Sequence, residues 1–228
     1  MQAIILAGGK GTRMRPLTNF VPKPMARFLD TDGVRKNLLE HTLECLPAEV
    51  TEVIFVVGYL KEQIMNHFGD YFNGRSIKYV VQEEALGTAH AVDLAKEYIT
   101  GRFLVLMGDD VYCKEDIKAI VNTHGNAILV QEMIQPFSGG NVLFDAKNNI
   151  IDIREGEHES GYVNAAAYAL EKVYFEYPMV AIQGGKEYGL PQTAMQMNGE
   201  STITAVPVTH WRQVSTVQDV AALSVAQS

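Results

Sequence analysis

Residues 5–25, ILAGGKGTRMRPLTNFVPKPM, decide how this chain is read. An apolar run over 3–7 stops at Gly8, Gly9 and Gly11, and Lys10, Arg13, Arg15 and Lys23 all come before the first carboxylate, Asp30. Glycines without Cβ atoms let backbone N–H groups close on an anion, and the cations add charge that a neutral glycine turn lacks. Such a loop, set directly after a strand, suits a polyphosphate.

Two phosphate motifs do not fit. A P-loop runs G-x-x-x-x-G-K-[ST], whereas here Lys10 precedes Gly11 and Arg13 follows Thr12. A dinucleotide fingerprint counted from Gly9 needs glycine or alanine at its sixth position, where Met14 stands. A tight strand-to-helix turn with a solvated basic face would account for a bare GGxG. It does not account for the PLT and PKPM that follow at 16–18 and 22–25.

The whole string resembles the signature of the sugar-1-phosphate nucleotidyltransferases, or nucleoside-diphosphate-sugar pyrophosphorylases, approximately LAGGxGTRLxPLTxxxPKxM. Leu6, Ala7, Gly8, Gly9, Gly11, Thr12, Arg13, Pro16, Leu17, Thr18, Pro22, Lys23 and Met25 fit it, with Met14 where leucine is usual. The resemblance implies a reaction in which a nucleoside triphosphate and a sugar 1-phosphate give a nucleotide sugar and pyrophosphate. It also implies roles: the loop from Leu6 to Thr12 with Arg13 holds the triphosphate, and Lys23 holds phosphate oxygens at the reacting centre.

The rest of the sequence sets bounds on that reading. A chain of 228 residues accommodates one well-buried α/β domain. Its formal net charge of −8 argues against nucleic acid or an anionic membrane as partner and favours small-molecule work. No apolar run approaches a membrane span, and strand-like sequence begins at Gln2 without a charged leader, so the expectation is a cytoplasmic protein. Cys45 and Cys113 lie far apart with no metal-ligand spacing and read as core fillers.

Short β-branched runs alternate with amphipathic stretches, the pattern of a mostly parallel, Rossmann-like sheet with helices on both faces. Strands are expected over 3–6, 53–57, 77–81, 103–107 and 127–130, and helices over 37–45, from 58, over 88–98 and over 114–122. The second half changes character: a hairpin over 142–144 and 150–153, a strand over 163–170, a helix over 190–197, an edge strand over 202–206, and a helix over 216–225 with Val217, Val220, Ala221 and Leu223 as its apolar positions. The expectation is one domain over 1–228, a nucleotide-binding half to about 135 and a small antiparallel sugar-binding half from about 136, with no left-handed β-helix domain.

Further motifs extend the resemblance. Gln82-Glu-Glu-Ala-Leu-Gly87-Thr88-Ala resembles the family's Q-x(3,4)-L-G-T-A. A glutamine amide offers a donor and an acceptor in one plane, fitting a pyrimidine edge, and glycine lets a base approach backbone; Gln82, Gly87 and Thr88 are therefore assigned to the nucleotide, with UTP or dTTP favoured. His90 reads as a buried or capping residue. Gly108-Asp109-Asp110 resembles the family's G-D-x metal step, which gives Asp109 as the ligand of Mg2+; Mg2+ needs only one or two protein carboxylates when phosphate oxygens and water complete its shell. Asp110 serves only if the chain has already turned there.

Sugar contacts assigned by resemblance are Gly140, Glu155 and Asn164. Two departures stand out: Gly156 follows Glu155 where the family has lysine, and Gln213 occupies the aspartate position of the family's W-x-D-x-G-[TS]. A nucleotide-sugar-binding regulatory subunit without catalysis is the alternative these departures raise. The choice between monomer and homo-oligomer is left open by the sequence.

Overall fold

A computed structural model describes residues 1–30 and 33–225; residues 31, 32 and 226–228 of the expected 1–228 unit lie outside the described residues. β1 (Gln2–Ala7) is the centre of the sheet. β2 (Glu52–Val57) and β3 (Arg75–Val81) follow it in parallel on one side, with Gln2 beside Glu52 and Ala7 beside Val57. β4 (Phe103–Met107) runs parallel on the other side, bringing Leu6 beside Met107. The chain thus leaves β1 toward one edge and later returns to its opposite flank. Such a switch point opens a crevice beyond the carboxyl ends of the two strands, here after Ala7 and Met107.

The continuous apolar runs of β1, β2 and β4 follow from burial on both faces. Ala3, Ile5 and Ala7 face a layer with Leu39, Leu43, Ile64, Phe68 and Ile117, contributed by α1 (Leu38–Cys45), α2 (Lys61–Phe68) and α4 (Lys114–Asn122). Ile4 faces the other layer with Ala91, Val92, Leu190 and Ala194, from α3 (Thr88–Asp93) and α5 (Leu190–Ala194). Each fully buried large side chain in these layers contributes about 1.5–3 kcal/mol. α1 begins at a capping box, in which Asn37 accepts from Glu40 N at 2.8 Å and Glu40 accepts from Asn37 N at 2.7 Å.

The second half joins the same sheet. After β5 (Asp110–Tyr112), which stands outside this sheet, β6 (Asn126–Met133), β7 (Phe137–Phe144), β8 (Ile150–His158) and β9 (Gly161–Leu170) belong to it. β9 pairs antiparallel with β4, β6 and β7, and β7 with β8. β10 (Ile203–Pro207) adds in parallel to β6. The sheet is therefore continuous across residue 135: β6 meets β9 rather than the parallel strands. The 145–149 turn forms as its composition requires, with Asp145 accepting from Lys147 N and Asn149 N.

Several expectations are corrected. The helices expected over 88–98 and 190–197 each end early in a short 3-10 turn, Lys96–Tyr98 and Met195–Met197. Of the four apolar positions expected in α6 (Val217–Val225), Val220 and Leu223 are buried, while Val217 is 40 % exposed and Ala221 is exposed. The reason lies in its partner: α6 packs on a third apolar cluster of Met14, Ala26, Phe28, Leu38, Val111 and Val214, which takes Val220 and Leu223 from the helix. Met14, in place of the usual leucine, fills that cluster and is fully buried, a swap of similar volume. The strand pair of β5 with β11 (Trp211–Gln213) was not expected. Among the described residues no helix is long and apolar enough to cross a membrane.

Candidate active site

The glycine loop leaves β1 and folds into three 3-10 turns, Thr12–Met14, Leu17–Asn19 and Lys23–Met25. Gly11 has φ 57°, and a Cβ there would lie 2.9 Å from Lys23 Cβ. The position thus needs glycine both for its left-handed backbone and for the seating of Lys23. Thr18 Oγ1 donates to Gly11 O at 2.8 Å and fixes the turn. Lys23 is buried, and its Nζ lies 2.5 Å from Asp109 Oδ2. Asp109 arrives there because Gly108 N bonds Leu6 O at 2.9 Å, locking the ends of β4 and β1 together.

These groups line one cavity of about 210 Å³. Leu6, Ala7, Gly9, Gly11, Thr12, Arg13, Lys23 and Asp109, all singled out from sequence, meet in it, joined by Pro24 and Ser215. Arg13 is exposed and among the described residues forms no ion pair. A second cavity of about 420 Å³ adjoins the same loop, lined by Gly8, Lys10, Gly58, Tyr59 and residues 82–85. The Gly8–Gly9 step therefore stands between a cationic cavity and the one that holds Gln82.

Gln82 donates from Nε2 to Gly87 O at 3.1 Å, and the same nitrogen lies 3.1 Å from His90 Nδ1. With the imidazole proton on Nε2, His90 Nδ1 accepts the second amide N–H, and the amide then departs from its expected two-way use. Gly87, at φ 93°, needs to be glycine for a reason the sequence did not show: a Cβ would lie 2.4 Å from Tyr188 O and 2.6 Å from Tyr188 N. Tyr188 N donates to Leu86 O at 2.8 Å, and Leu190 N donates to Thr88 Oγ1 at 2.9 Å. Gly87 and Thr88 hold the 188–190 segment against this loop.

Gly140 and Glu155 face each other across β7 and β8. A Cβ on Gly140 would lie 3.1 Å from Glu155 Oε1, which accepts from Gln192 Nε2 at 3.0 Å. Asn164 sits where the register of β9 shifts; its Oδ1 accepts from Ala166 N at 3.0 Å and its Nδ2 donates to Tyr168 OH at 2.6 Å. Gly156 is exposed, with open space where a side chain would be. None of Gly140, Glu155 and Asn164 lines the two cavities above.

Asp110 has turned inward. It is 3 % exposed and accepts from Trp211 Nε1 at 3.2 Å, and burial, reinforced by the neighbouring Asp109 charge, pushes its carboxyl up to about 8. Gln213 lies opposite Asp110 in the ladder, but it lines a separate cavity with Phe137, Val163 and Trp211. The two cysteines are free. Both line a further cavity of about 570 Å³ beneath α1, and burial pushes the Cys45 thiol up to about 12.

Among the described residues no group of three or more His, Cys, Asp or Glu side chains is arranged to hold a metal. Asp109 is the one carboxylate among the described residues that lines the cationic cavity, a donor set that fits Mg2+ carried in on phosphate oxygens and does not amount to a protein cage.

Comparison with known proteins bears on family and fold. A family model described as nucleotidyl transferase matches residues 2–197. The "Bifunctional protein GlmU" of Methanococcus vannielii is 36% identical over 184 residues, spanning 77% of this chain and 42% of that protein. The chain thus covers about two fifths of that relative's length. The D-glycero-alpha-D-manno-heptose 1-phosphate guanylyltransferase of Campylobacter jejuni is 33% identical over 177 residues, 77% of this chain and 78% of that one. A putative glucose-1-phosphate thymidylyltransferase from Bacillus anthracis superposes with a TM-score of 0.83 at 22% identity, over 100% of this chain and 95% of that chain.

Proposed function

The chain belongs to the nucleotidyl transferase family, and from that premise we propose that it joins a nucleoside triphosphate to a sugar 1-phosphate, releasing pyrophosphate. The observation that carries this is the convergence of Gly9, Gly11, Arg13, Lys23 and Asp109 on one cavity at the switch point, separated only by the Gly8–Gly9 step from the cavity of Gln82. A triphosphate along that step would put its base beside Gln82 and its phosphates beside Lys23.

The reaction is attack of a sugar-phosphate oxygen on the α-phosphorus; the new P–O bond forms as the bond to pyrophosphate breaks. That oxygen is already ionised at neutral pH, so no general base is needed. Lys23 and Arg13 are the cations available to oppose the charge that builds on the transferring phosphoryl oxygens, and fixed placement of both reactants supplies much of the remainder. Asp109 would hold Mg2+, which when bound to the triphosphate supplies further charge neutralisation. Freed from Asp109, the Lys23 ammonium turns to phosphate. UTP or dTTP is our choice of donor, supported by Gln82; the similar proteins named above include a guanylyltransferase and a putative thymidylyltransferase, and the triphosphate panel below tests the base. Gly140, Glu155 and Asn164 are the proposed sugar contacts.

The exposed Gly156 and the displaced Gln213 favour one second reading, a nucleotide-sugar-binding subunit without turnover. Coupled detection of pyrophosphate across UTP, dTTP, CTP, GTP and ATP with a panel of sugar 1-phosphates and Mg2+ separates the two. Release with a triphosphate and sugar phosphate together supports transfer; nucleotide binding with no release under any pairing overturns it.

A further inference from the structure

We propose that His90 is a positioning residue that fixes the amide of Gln82 so that its carbonyl oxygen alone faces the base, making the cavity selective for a ring N–H donor such as the imide of uracil or thymine. The inference rests on reading the Gly8–Gln82 cavity as the base site. Its starting point is that a backbone carbonyl only accepts, so the Gln82 atom lying 3.1 Å from Gly87 O is the amide nitrogen and the orientation is set by chemistry. The second N–H points to His90 Nδ1, also at 3.1 Å, which accepts when the imidazole is neutral and carries its proton on Nε2.

With both donors held, Gln82 Oε1 is the atom left to read a ligand. It lies on the cavity side, 3.5 Å from where a Cβ of Gly8 would be. Gly87 O by itself is a weak anchor for the amide, because it already accepts the helical bond from Ala91 N at 3.2 Å and loses little if Gln82 turns away. Without an acceptor at His90 one half-buried N–H would have no partner, and the amide would rotate to find one in the cavity, presenting a donor to the base. Uracil and cytosine have nearly the same shape but opposite polarity at N3, a donor in the first and an acceptor in the second. The ratio of their affinities therefore reports the amide's orientation and is insensitive to pocket size.

The test measures binding of UTP and CTP by calorimetry in wild type, His90→Leu and His90→Asn, with thermal midpoints and pyrophosphate release alongside. Wild type should prefer UTP by roughly tenfold or more, the scale of one satisfied against one opposed hydrogen bond. His90→Leu should lower that ratio by roughly tenfold. His90→Asn, whose Oδ1 restores an acceptor on Cγ, should keep it. No UTP preference in wild type, an unchanged ratio in His90→Leu, or a ratio in His90→Asn as low as in His90→Leu overturns the inference. Should His90→Leu fail to fold, His90→Asn against His90→Lys, which offers only donors, decides on the same ratio. Selective binding that follows His90 without any pyrophosphate release would sustain this inference and sink the proposed activity, whereas release with a His90-independent ratio would do the reverse.

Discussion

Replacing Lys23 with methionine should move metal affinity and turnover in opposite directions. The Lys23 ammonium lies 2.5 Å from Asp109, with side chains 11% and 28% exposed, so in the ligand-free protein a divalent cation has to displace it. At an effective dielectric of about 20 the gross attraction across that distance is about 7 kcal/mol. Desolvation offsets most of it, leaving a net coupling of about 1.5–3 kcal/mol for a close, partly buried pair. Methionine keeps the length of the stem and removes the charge. Asp109 is then open to the metal, and Mg2+ affinity of the nucleotide-free variant should rise roughly 10- to 100-fold, that coupling expressed as a ratio. Turnover should fall by roughly two to four orders of magnitude, since an oriented cation on the transferring phosphoryl group is lost. Stability should fall by about 3 kcal/mol without metal, the effect of leaving one member of a buried pair alone, and millimolar Mg2+ should recover more of it in the variant than in wild type. Calorimetry with Mg2+, or paramagnetic resonance with Mn2+, reads the affinity. Unchanged or weaker metal binding in Lys23→Met, or near-wild-type turnover, would refute the account of this pair.

Arg13→Ala should lower turnover by roughly two to four orders of magnitude while leaving the thermal midpoint within error, because Arg13 is exposed and unpaired among the described residues; a large loss of midpoint would show that it is structural instead. Asp110→Asn tests the buried carboxyl. Its folded-state pKa is raised, so the stability it contributes is present in acid and is lost as pH rises toward and through about 8; thermal midpoints from pH 5 to 9 should fall more in the wild-type apo protein than in the variant, and parallel curves would count against a raised pKa. Gly87→Ala should weaken both substrates, since the added Cβ would lie 2.4 Å from Tyr188 O and push the 188–190 segment away. A rise in KM for the nucleotide alone would mean that the glycine serves only base approach.

Much of the fold was legible because β1, β2 and β4 are buried on both faces and read as unbroken apolar runs ending at glycine. The cationic cavity was legible for a related reason: loop 8–25 and Gly108-Asp109 are each contiguous in sequence, and strand register brings them together. What was hidden depended on contacts between distant segments. Three-residue strands such as Asp110–Tyr112 and Trp211–Gln213 have too few residues to show a period. The inward turn of Asp110 could not be read without its partner, the indole of Trp211. The buried face of α6 was misread because it is fixed by Met14 and Phe28, residues with no visible relation to it in sequence. The packing of Gly87 on Tyr188 was hidden in the same way, since the two lie 101 positions apart. His90 offered no signal beyond its position in the first turn of a helix, where a histidine is ordinarily a packing residue.

The proposed base and sugar contacts belong to different halves of the chain, yet a short route of hydrogen bonds joins them. Gln82 holds Gly87 O, Leu86 O receives Tyr188 N, Thr88 receives Leu190 N, and two residues on, Gln192 donates to Glu155. Each link is between 2.8 and 3.1 Å. Backbone groups supply four of the eight partners, so main chain fixes the middle of the route and the side chains of Gln82, Gln192 and Glu155 complete its two ends. A transfer that relies on aligning an already ionised oxygen with an α-phosphorus gains most from this kind of fixed separation, because misplacement by about an ångström costs on the order of a hundredfold in rate. The continuity of the sheet across residue 135 serves the same end: β9 pairs with β4 on one edge and β6 on the other, so the strand bearing Asn164 cannot shift without disturbing the strand that delivers Asp109.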